Sequence, residues 1–78
     1  MSLTEDRLLE YLRRETDIEQ LHRDTPLFSS GVIDSVGMID LILFIETEAR
    51  IEVHQEDVTL ANFDSVRRIV ALLGQKAA

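Results

Sequence analysis

The chain has 78 residues, which is enough for one domain with a single small hydrophobic core. Fifteen acidic and eight basic residues give a net charge of −7, which disfavours nucleic acid and anionic membranes as partners. The charge either favours binding to basic patches on other proteins or serves only to keep the protein in solution. The absence of cysteine excludes disulfide bridges and thiolate chemistry of its own. With no signal peptide and no bilayer-spanning apolar run, we expect a soluble, cytoplasmic protein without membrane insertion, and a monomer.

The first predicted element is an amphipathic helix followed by a long loop. Ser2 fits an N-cap to which Glu5 reaches back, and leucines follow at helical spacing to about Glu15. Residues 16–31 contain the only proline and end in a glycine, which predicts a loop. The apolar residues expected to hold this loop on the core are Ile18, Leu21, Leu27 and Phe28.

A second helix is expected to begin at Asp34, whose carboxylate suits an N-cap, and to end near Arg50. Its buried face, spaced i, i+3, i+4 and i+7, comprises Met38, Leu41, Ile42, Ile45 and Ala49. Further apolar residues outside that face are Val36, Ile39, Leu43 and Phe44. In so small a protein they predict either cover by the loop or an apolar patch open to partners. We expect partners to dock on one edge of the helix, the recognition stripe, formed by Val36, Asp40, Leu43 and Thr47.

After the second helix we expect an extended link, one short helical turn over residues 55–60, and a last helix. A lone strand from Ile51 would leave its backbone groups unpaired, so a strand is disfavoured. The last helix is expected to begin near Asp64, as a carboxylate cap, and to stop at Gly74. Its predicted inner face is Val66, Ile69, Val70 and Leu73. The predicted fold is all-α: residues 1–78 form one small four-helix bundle of three longer helices and one short helix, with a long loop between helices one and two.

The pair Asp34–Ser35 is the main candidate site. A nucleophilic serine needs a base, but His22 and His54 lie in predicted loops and the Gly-x-Ser-x-Gly elbow is absent, so catalysis by Ser35 is disfavoured. The plainest interpretation is that Asp34 caps a helix. Ser35 is also a small hydroxyl at a helix start, where free N–H groups suit a phosphate, so it is well placed to carry a phosphodiester or to be phosphorylated.

No metal site is predicted. The histidines are 32 residues apart and the sequence has no zinc-binding spacing. An acidic set lacks the calcium-loop pattern and is expected to form a solvated face that could dock a partner: Glu46, Glu48, Glu52, Glu56 and Asp57. Arg67 and Arg68 are most simply solvent-facing, and a role in docking is the weaker alternative.

Together these residues resemble the acyl carrier protein superfamily. The stretch DTPLFSSGVIDSVGMIDLILFIE is similar to the family's loop, Asp-Ser attachment motif and second helix, and IEVHQEDVTLANFDSVRRIVALL resembles the segment after it. The resemblance covers about Leu8 to Leu73. Asp-Ser alone is a weak signal, but it becomes specific together with the upstream Leu-Phe-x-x-Gly, the downstream spacing, the acidity and the length.

The resemblance implies a carrier and not an enzyme. Ser35 would be esterified with 4′-phosphopantetheine from coenzyme A by a phosphopantetheinyl transferase, and Asp34 would cap the helix and lie near the metal–phosphate chemistry of that transfer. The thiol of the arm would hold acyl or aminoacyl cargo as a thioester, loaded by an adenylating ligase and passed to a downstream transferase or synthase. The residues leave one alternative open, a non-catalytic helical interaction module that binds through its acidic, apolar-edged second helix.

The sequence departs from the pattern of fatty-acid synthase carriers at several positions. Gly37 stands where those carriers usually have an acidic or polar residue, and Leu43 and Thr47 stand where charge is expected. Ala49 replaces a common aromatic residue and His54 a common proline. The pattern is more similar to discrete carriers that work beside a stand-alone adenylating ligase, including D-alanyl and aminoacyl carriers.

Overall fold

The computed structural model describes residues 3–77, and this part of the chain contains helices and loops but no strand. The helices are α1 (Glu5–Thr16), α2 (Ser35–Ala49), α3 (Leu60–Phe63) and α4 (Val66–Ala77), with a 3₁₀ turn at Gln55–Asp57. Helix α4 packs against both α1 and α3. The prediction of an all-α, four-helix fold with a long loop between the first two helices is confirmed. No helix in the described range is long and apolar enough to span a bilayer.

Helix α1 begins two residues later than predicted. Its N-cap is Thr4, whose hydroxyl accepts a hydrogen bond from the Arg7 N–H at 3.2 Å. The cap predicted at Ser2 lies outside the described residues, and Glu5 is the first helical residue. Asp17 ends the helix in the left-handed conformation, with φ 58°, close to the predicted end.

One hydrophobic core joins the helices to the long loop. Its fully buried side chains are Leu8, Leu12, Leu21, Leu27, Leu41, Ile45, Phe63, Val66 and Ile69. Leu21 and Leu27 come from the loop and confirm that its apolar residues hold it on the core; Ile18 and Phe28 are half-buried against it. The loop therefore contributes to the stability of the fold through burial of apolar surface.

The buried face of α2 agrees with the predicted spacing. Leu41 and Ile45 are fully buried, and the other three residues of the predicted face, Met38, Ile42 and Ala49, are half-buried. Arg50 follows the helix in the left-handed conformation, with φ 56°, so the predicted end is also confirmed. The helical spacing of apolar residues was therefore enough to predict which face of α2 is buried.

Two short turns follow α2, where one was predicted. The 3₁₀ turn is followed by α3, whose N-cap Thr59 accepts a hydrogen bond from the Asn62 N–H at 3.3 Å. The prediction that Asp64 caps the last helix is wrong, because α4 begins at Val66 and the Ser65 hydroxyl accepts from the Arg68 N–H at 3.2 Å. The carboxylate of Asp64 has other partners, described below.

The prediction that Gly74 stops the last helix is also wrong. Helix α4 continues through Gly74 to Ala77, and its inner face uses Leu72 beside the predicted Leu73, while Val70 is only half-buried. A glycine ends a helix when it adopts the left-handed conformation. Here the last turn stays helical, and the Lys76 ammonium binds the Asp57 carboxylate at 2.7 Å, which holds that turn against the 3₁₀ segment.

Replacing Gly74 by alanine is expected to stabilise the protein. A Cβ at this position would meet no heavy atom within 4 Å, and alanine favours a helix over glycine by about 0.5–1 kcal/mol. Chemical denaturation followed by circular dichroism should therefore show a higher free energy of unfolding for Gly74→Ala. Gly31→Ala is the contrasting variant and should destabilise, because Gly31 has φ +82°. A destabilised Gly74→Ala protein would mean that α4 ends at this glycine after all.

Candidate functional site at the start of helix α2

Ser35 is the first residue of α2 and is exposed. The residue before it, Asp34, has an extended backbone and caps the helix, with its Oδ1 accepting a hydrogen bond from the Gly37 N–H at 2.8 Å. The first turn of α2 carries no acidic residue. The serine hydroxyl thus lies at the positive end of a fifteen-residue helix, where an attached phosphate group is electrostatically favoured.

A small closed turn leads directly into this helix start. The Ile33 N–H donates to the Leu27 carbonyl at 2.9 Å, and the Gly31 N–H donates to the Phe28 carbonyl at 3.1 Å. Gly31 has a positive φ of 82°, a conformation that a side chain would disfavour. Since Ile33 immediately precedes Asp34, the position of this turn determines where α2 begins.

Asp64, which lies between α3 and α4, is hydrogen-bonded to this turn. Its Oδ1 accepts hydrogen bonds from the N–H groups of Phe28 at 2.8 Å and Ser29 at 3.0 Å, and its Oδ2 accepts one from the Ser29 hydroxyl at 2.7 Å. The Asp64 carbonyl also accepts from the Leu27 N–H at 2.9 Å. We call these four hydrogen bonds the Asp64 clamp. The bonds from Ser29, first its N–H and then its hydroxyl, lower the pKa of Asp64, because they favour the charged carboxylate.

Sequence reasoning missed the clamp and assigned Asp64 to a helix cap. The partners of the carboxylate lie 35 and 36 residues away, so no local pattern contains them. The sequence does contain one indication against a cap at Asp64. Ser65, the next residue, is itself a good N-cap, so the Asp64 carboxylate is free to bind another partner.

A second tie joins the long loop to α4. The Arg67 guanidinium forms two hydrogen bonds with the Asp24 carboxylate, at 2.7 and 3.1 Å, and the Arg67 N–H donates to the Arg23 carbonyl at 3.0 Å. These side-chain hydrogen bonds raise the pKa of Arg67 and lower the pKa of Asp24. Both side chains are exposed, so water screens the pair and it positions the loop more than it stabilises it. Arg67 is solvent-facing as predicted, but it is also paired.

The recognition stripe is open to solvent. Val36 and Leu43 are 68% and 57% exposed, and Asp40 and Thr47 are exposed as well. Ile39, on the same side of α2, is 58% exposed. Phe44 differs: it is half-buried and stacks on Tyr11 of α1, with ring centroids 3.9 Å apart and planes 14° apart. Three of the four additional apolar residues of α2 therefore form an uncovered patch, while docking on the stripe stays a prediction.

The histidines have structural contacts. His22 Nδ1 accepts a hydrogen bond from the backbone N–H of Asp24 at 3.2 Å, and the backbone N–H of His54 donates to the Asp57 carboxylate at 2.9 Å. Within the described range, neither ring is hydrogen-bonded to Ser35. No three His, Asp or Glu side chains among residues 3–77 converge as metal ligands.

The acidic set predicted as a solvated face is partly engaged inside the protein. Glu46 accepts a hydrogen bond from the Val53 N–H at 2.9 Å, and Glu48 accepts one from the Arg7 guanidinium at 2.8 Å. Asp57 forms the ion pair with Lys76 described above. Only Glu52 and Glu56 of the five are exposed, so as a set they do not form a free docking face.

Comparison with known proteins decides the family. The probable acyl carrier protein PigG of Serratia sp. is 34% identical to this chain over 53 residues, which cover 68% of this chain and 61% of PigG. The chain belongs to the acyl carrier protein superfamily. It spans about three fifths of the length of this curated carrier, and no protein-family model matches it.

The fold of this carrier-family chain also occurs among solved structures. A chain in the crystal structure of an FAD-dependent dehydrogenase superposes on it with a TM-score of 0.79 and 22% sequence identity. The superposition covers 85% of this chain and 97% of that chain. At this level of identity, the likeness shows the shared helical fold and nothing about activity.

Breaking the Asp64 clamp should destabilise the protein and change its acid sensitivity. Asp64→Ala removes the acceptor of three hydrogen bonds and is expected to lower the free energy of unfolding by about 1–3 kcal/mol. Because folding lowers the pKa of Asp64 below its ordinary value of 3.8, the clamp contributes fully above that pH and is lost as the pH falls through the folded pKa.

Asp64→Asn is the matched variant for this acid effect. An amide oxygen can still accept from the backbone, so the loss of stability near pH 7 should be smaller than for alanine. The fall of stability below about pH 4 should be shallower than in the parent protein, though not abolished, because the pKa values of Asp24 and Asp57 are also lowered. Urea unfolding at a series of pH values measures both the free energy of unfolding near pH 7 and its decrease in acid. A parent-like acid profile in Asp64→Asn would contradict the clamp.

Proposed function

We propose that residues 1–78 form one carrier domain that holds acyl or aminoacyl cargo as a thioester on a 4′-phosphopantetheine arm attached to Ser35. The carrier takes its cargo from a loading ligase and delivers it to downstream enzymes without catalysing a reaction itself. The observation that carries this proposal is the placement of Ser35, exposed as the first residue of α2 behind the capping Asp34. Membership of the acyl carrier protein superfamily supports the same residue as the attachment point.

The residues around Ser35 fit a phosphodiester-linked group. The serine is exposed at the N-terminus of α2, and the carboxylate next to it, that of Asp34, is bonded through Oδ1 to the Gly37 N–H. Gly37, two residues further on, leaves space that a Cβ would fill, since that atom would lie 3.0 Å from Ile33 Cγ2. When attached, the arm supplies the thiol that this cysteine-free chain lacks.

Asp34 has two roles in this proposal. Its Oδ1 holds the Gly37 N–H at 2.8 Å, which fixes the first turn and so the direction of the Ser35 side chain. Its Oδ2 forms no hydrogen bond among the described residues and stays available during the transfer of the arm. This supports the expectation that Asp34 lies near the metal–phosphate chemistry of a phosphopantetheinyl transferase.

The recognition stripe is the proposed docking surface for these enzymes. It combines two exposed apolar side chains, Val36 and Leu43, with the carboxylate of Asp40 and the hydroxyl of Thr47. A carrier must leave every enzyme it visits, so docking should be weak and fast. The net charge of −7 would steer the chain toward basic surfaces beside the active sites that it serves.

A second candidate function is an interaction module without an arm. The observation that favours it is the extent of exposed apolar surface: Ile39 on α2 and Leu60 on α3 are 58% and 55% exposed, in addition to the stripe. Patches of this kind mark protein-binding surfaces. Binding of a partner to protein that carries no modification at Ser35, with no gain when the arm is attached, would favour this function over the carrier.

Loading of Ser35 is the direct test of the carrier. Incubation with coenzyme A, magnesium and a promiscuous phosphopantetheinyl transferase should add the mass of one phosphopantetheine to the intact protein. Ser35→Ala should gain nothing while keeping its helical circular dichroism spectrum. Ser30→Ala removes a nearby exposed loop hydroxyl and is the matched control that should still be modified. A modified Ser35→Ala protein would contradict the assignment.

Truncation of Leu43 tests the docking surface. Leu43→Ala should raise the carrier concentration needed for half-maximal loading by about tenfold, because the loss of a well-placed apolar contact costs about 1.4 kcal/mol of binding. Its stability should change little, since the side chain is 57% exposed. Leu60→Ala is the matched control, an equally exposed leucine on α3. An equal loss in both variants would show that docking is not confined to the stripe.

A further inference from the structure

A groove of about 400 Å³ lies beside the attachment serine. One wall is the second half of α1, from Tyr11 to Thr16, and the other is formed by residues 31–34, 36 and 37 together with Asp40. Both neighbours of Ser35 in the sequence, Asp34 and Val36, line this groove. The groove therefore lies next to the attachment point, within reach of a flexible chain on Ser35.

Gly37 helps to keep the groove open. A Cβ on this residue would lie 3.0 Å from Ile33 Cγ2 and 3.5 Å from Asp34 Oδ1, and both of these residues line the groove. Any side chain at position 37 would thus occupy part of the groove or push Ile33 aside. The space beside Ser35 depends on having glycine at this one helical position, although glycine is a poor helix former.

The groove is acidic and contains no basic residue in its lining. Its three carboxylates belong to Glu15, Asp34 and Asp40. Burial raises the pKa of the Tyr11 phenol, and the negative charges of Glu15 and then Asp40 raise it further, so both carboxylates lie near this hydroxyl. The stacking of Tyr11 on Phe44 fixes the aromatic ring in the wall.

A second pocket near α2 has the opposite character. It has a volume of about 190 Å³, lies between α2 and α3, and is lined by Phe28, Met38, Val58, Thr59, Leu60 and Phe63. This lining contains no charged side chain. An uncharged alkyl cargo would favour the second pocket, because burial of apolar surface is its main source of binding free energy. A cationic cargo would favour the acidic groove, because the groove offers carboxylates to its charge.

We propose that the acidic groove between α1 and α2 is the resting site of the cargo and that it selects aminoacyl groups, whose ammonium faces Glu15 and Asp40. The inference rests on the proposed function, because the cargo reaches the groove through the arm on Ser35. The carboxylates attract the ammonium and favour its protonated form. A protonated amine is not a nucleophile, so the groove also keeps the cargo from reacting with neighbouring thioesters through its own amine.

The test compares two arms of equal length on Ser35. One carries an alanyl group and the other a propionyl group, each joined by a stable amide in place of the thioester, and intact mass confirms the attachment. In ¹⁵N–¹H correlation spectra, the alanyl arm should shift the amide signals of residues 11–16, 31–37 and 40 more than the propionyl arm does. The pKa of a ¹⁵N-labelled alanyl ammonium should be raised by about half a unit or more relative to the same arm free in solution.

Two variants with matched controls assign these effects to the groove. Glu15→Gln should reduce the rise in the ammonium pKa, whereas Asp6→Asn, an exposed carboxylate on α1 outside the groove, should leave it unchanged. Gly37→Ala should weaken the groove shifts, whereas Gly74→Ala on α4 should not. Larger shifts around the α2–α3 pocket for the alanyl arm, or an unchanged ammonium pKa, would overturn the inference while leaving the carrier function intact. Failure to attach either arm to Ser35 would overturn the proposed function itself.

Discussion

The Asp64 carboxylate organises the part of this protein that matters for its function. Eighteen residues, 17–34, separate the end of α1 from the start of α2. Closing a loop of that length costs conformational entropy. Two buried leucines, Leu21 and Leu27, recover part of that cost. The Asp64 carboxylate adds hydrogen bonds to the adjacent residues Phe28 and Ser29, and these bonds fix the position of the C-terminal part of the loop. Because α2 begins a few residues after Phe28 and Ser29, the same hydrogen bonds also fix where α2 starts.

Helix α2 has two faces with different tasks. Leu41 and Ile45 are buried in the core and hold the helix, while Val36 and Leu43 stay open to solvent. Because the loop covers neither of these two residues, the exposed side continues from the attachment serine along the helix axis. This arrangement separates the residues that maintain the fold from those proposed to meet other proteins. Substitutions on the outer face can therefore alter docking with little effect on stability.

The features that local spacing determines could be predicted from the sequence. The Asp34 cap, the inner face of α2 and the buried loop leucines all depend on residue types at fixed short separations. The errors at Asp64 and Gly74 arise because each position is decided by contacts distant in sequence. Asp64 bonds to a segment more than thirty residues away, and the last turn beyond Gly74 is held by an ion pair with the 3₁₀ segment. The groove beside Ser35 is likewise formed by segments distant in sequence, α1 on one side and the turn before α2 with its first residues on the other, and no sequence pattern predicted it.

The pairing of Lys76 with Asp57 has a chemical consequence for a carrier. A thioester is an electrophile, and a lysine amine on the same chain can capture its acyl group. These 78 residues contain a single lysine, and its side chain is only 20% exposed, with the ammonium 2.7 Å from a carboxylate. The ion pair with Asp57 holds the end of this side chain against the 3₁₀ segment and away from solvent. For the carrier proposed above, this contact would keep the lysine of these 78 residues away from a thioester on the arm.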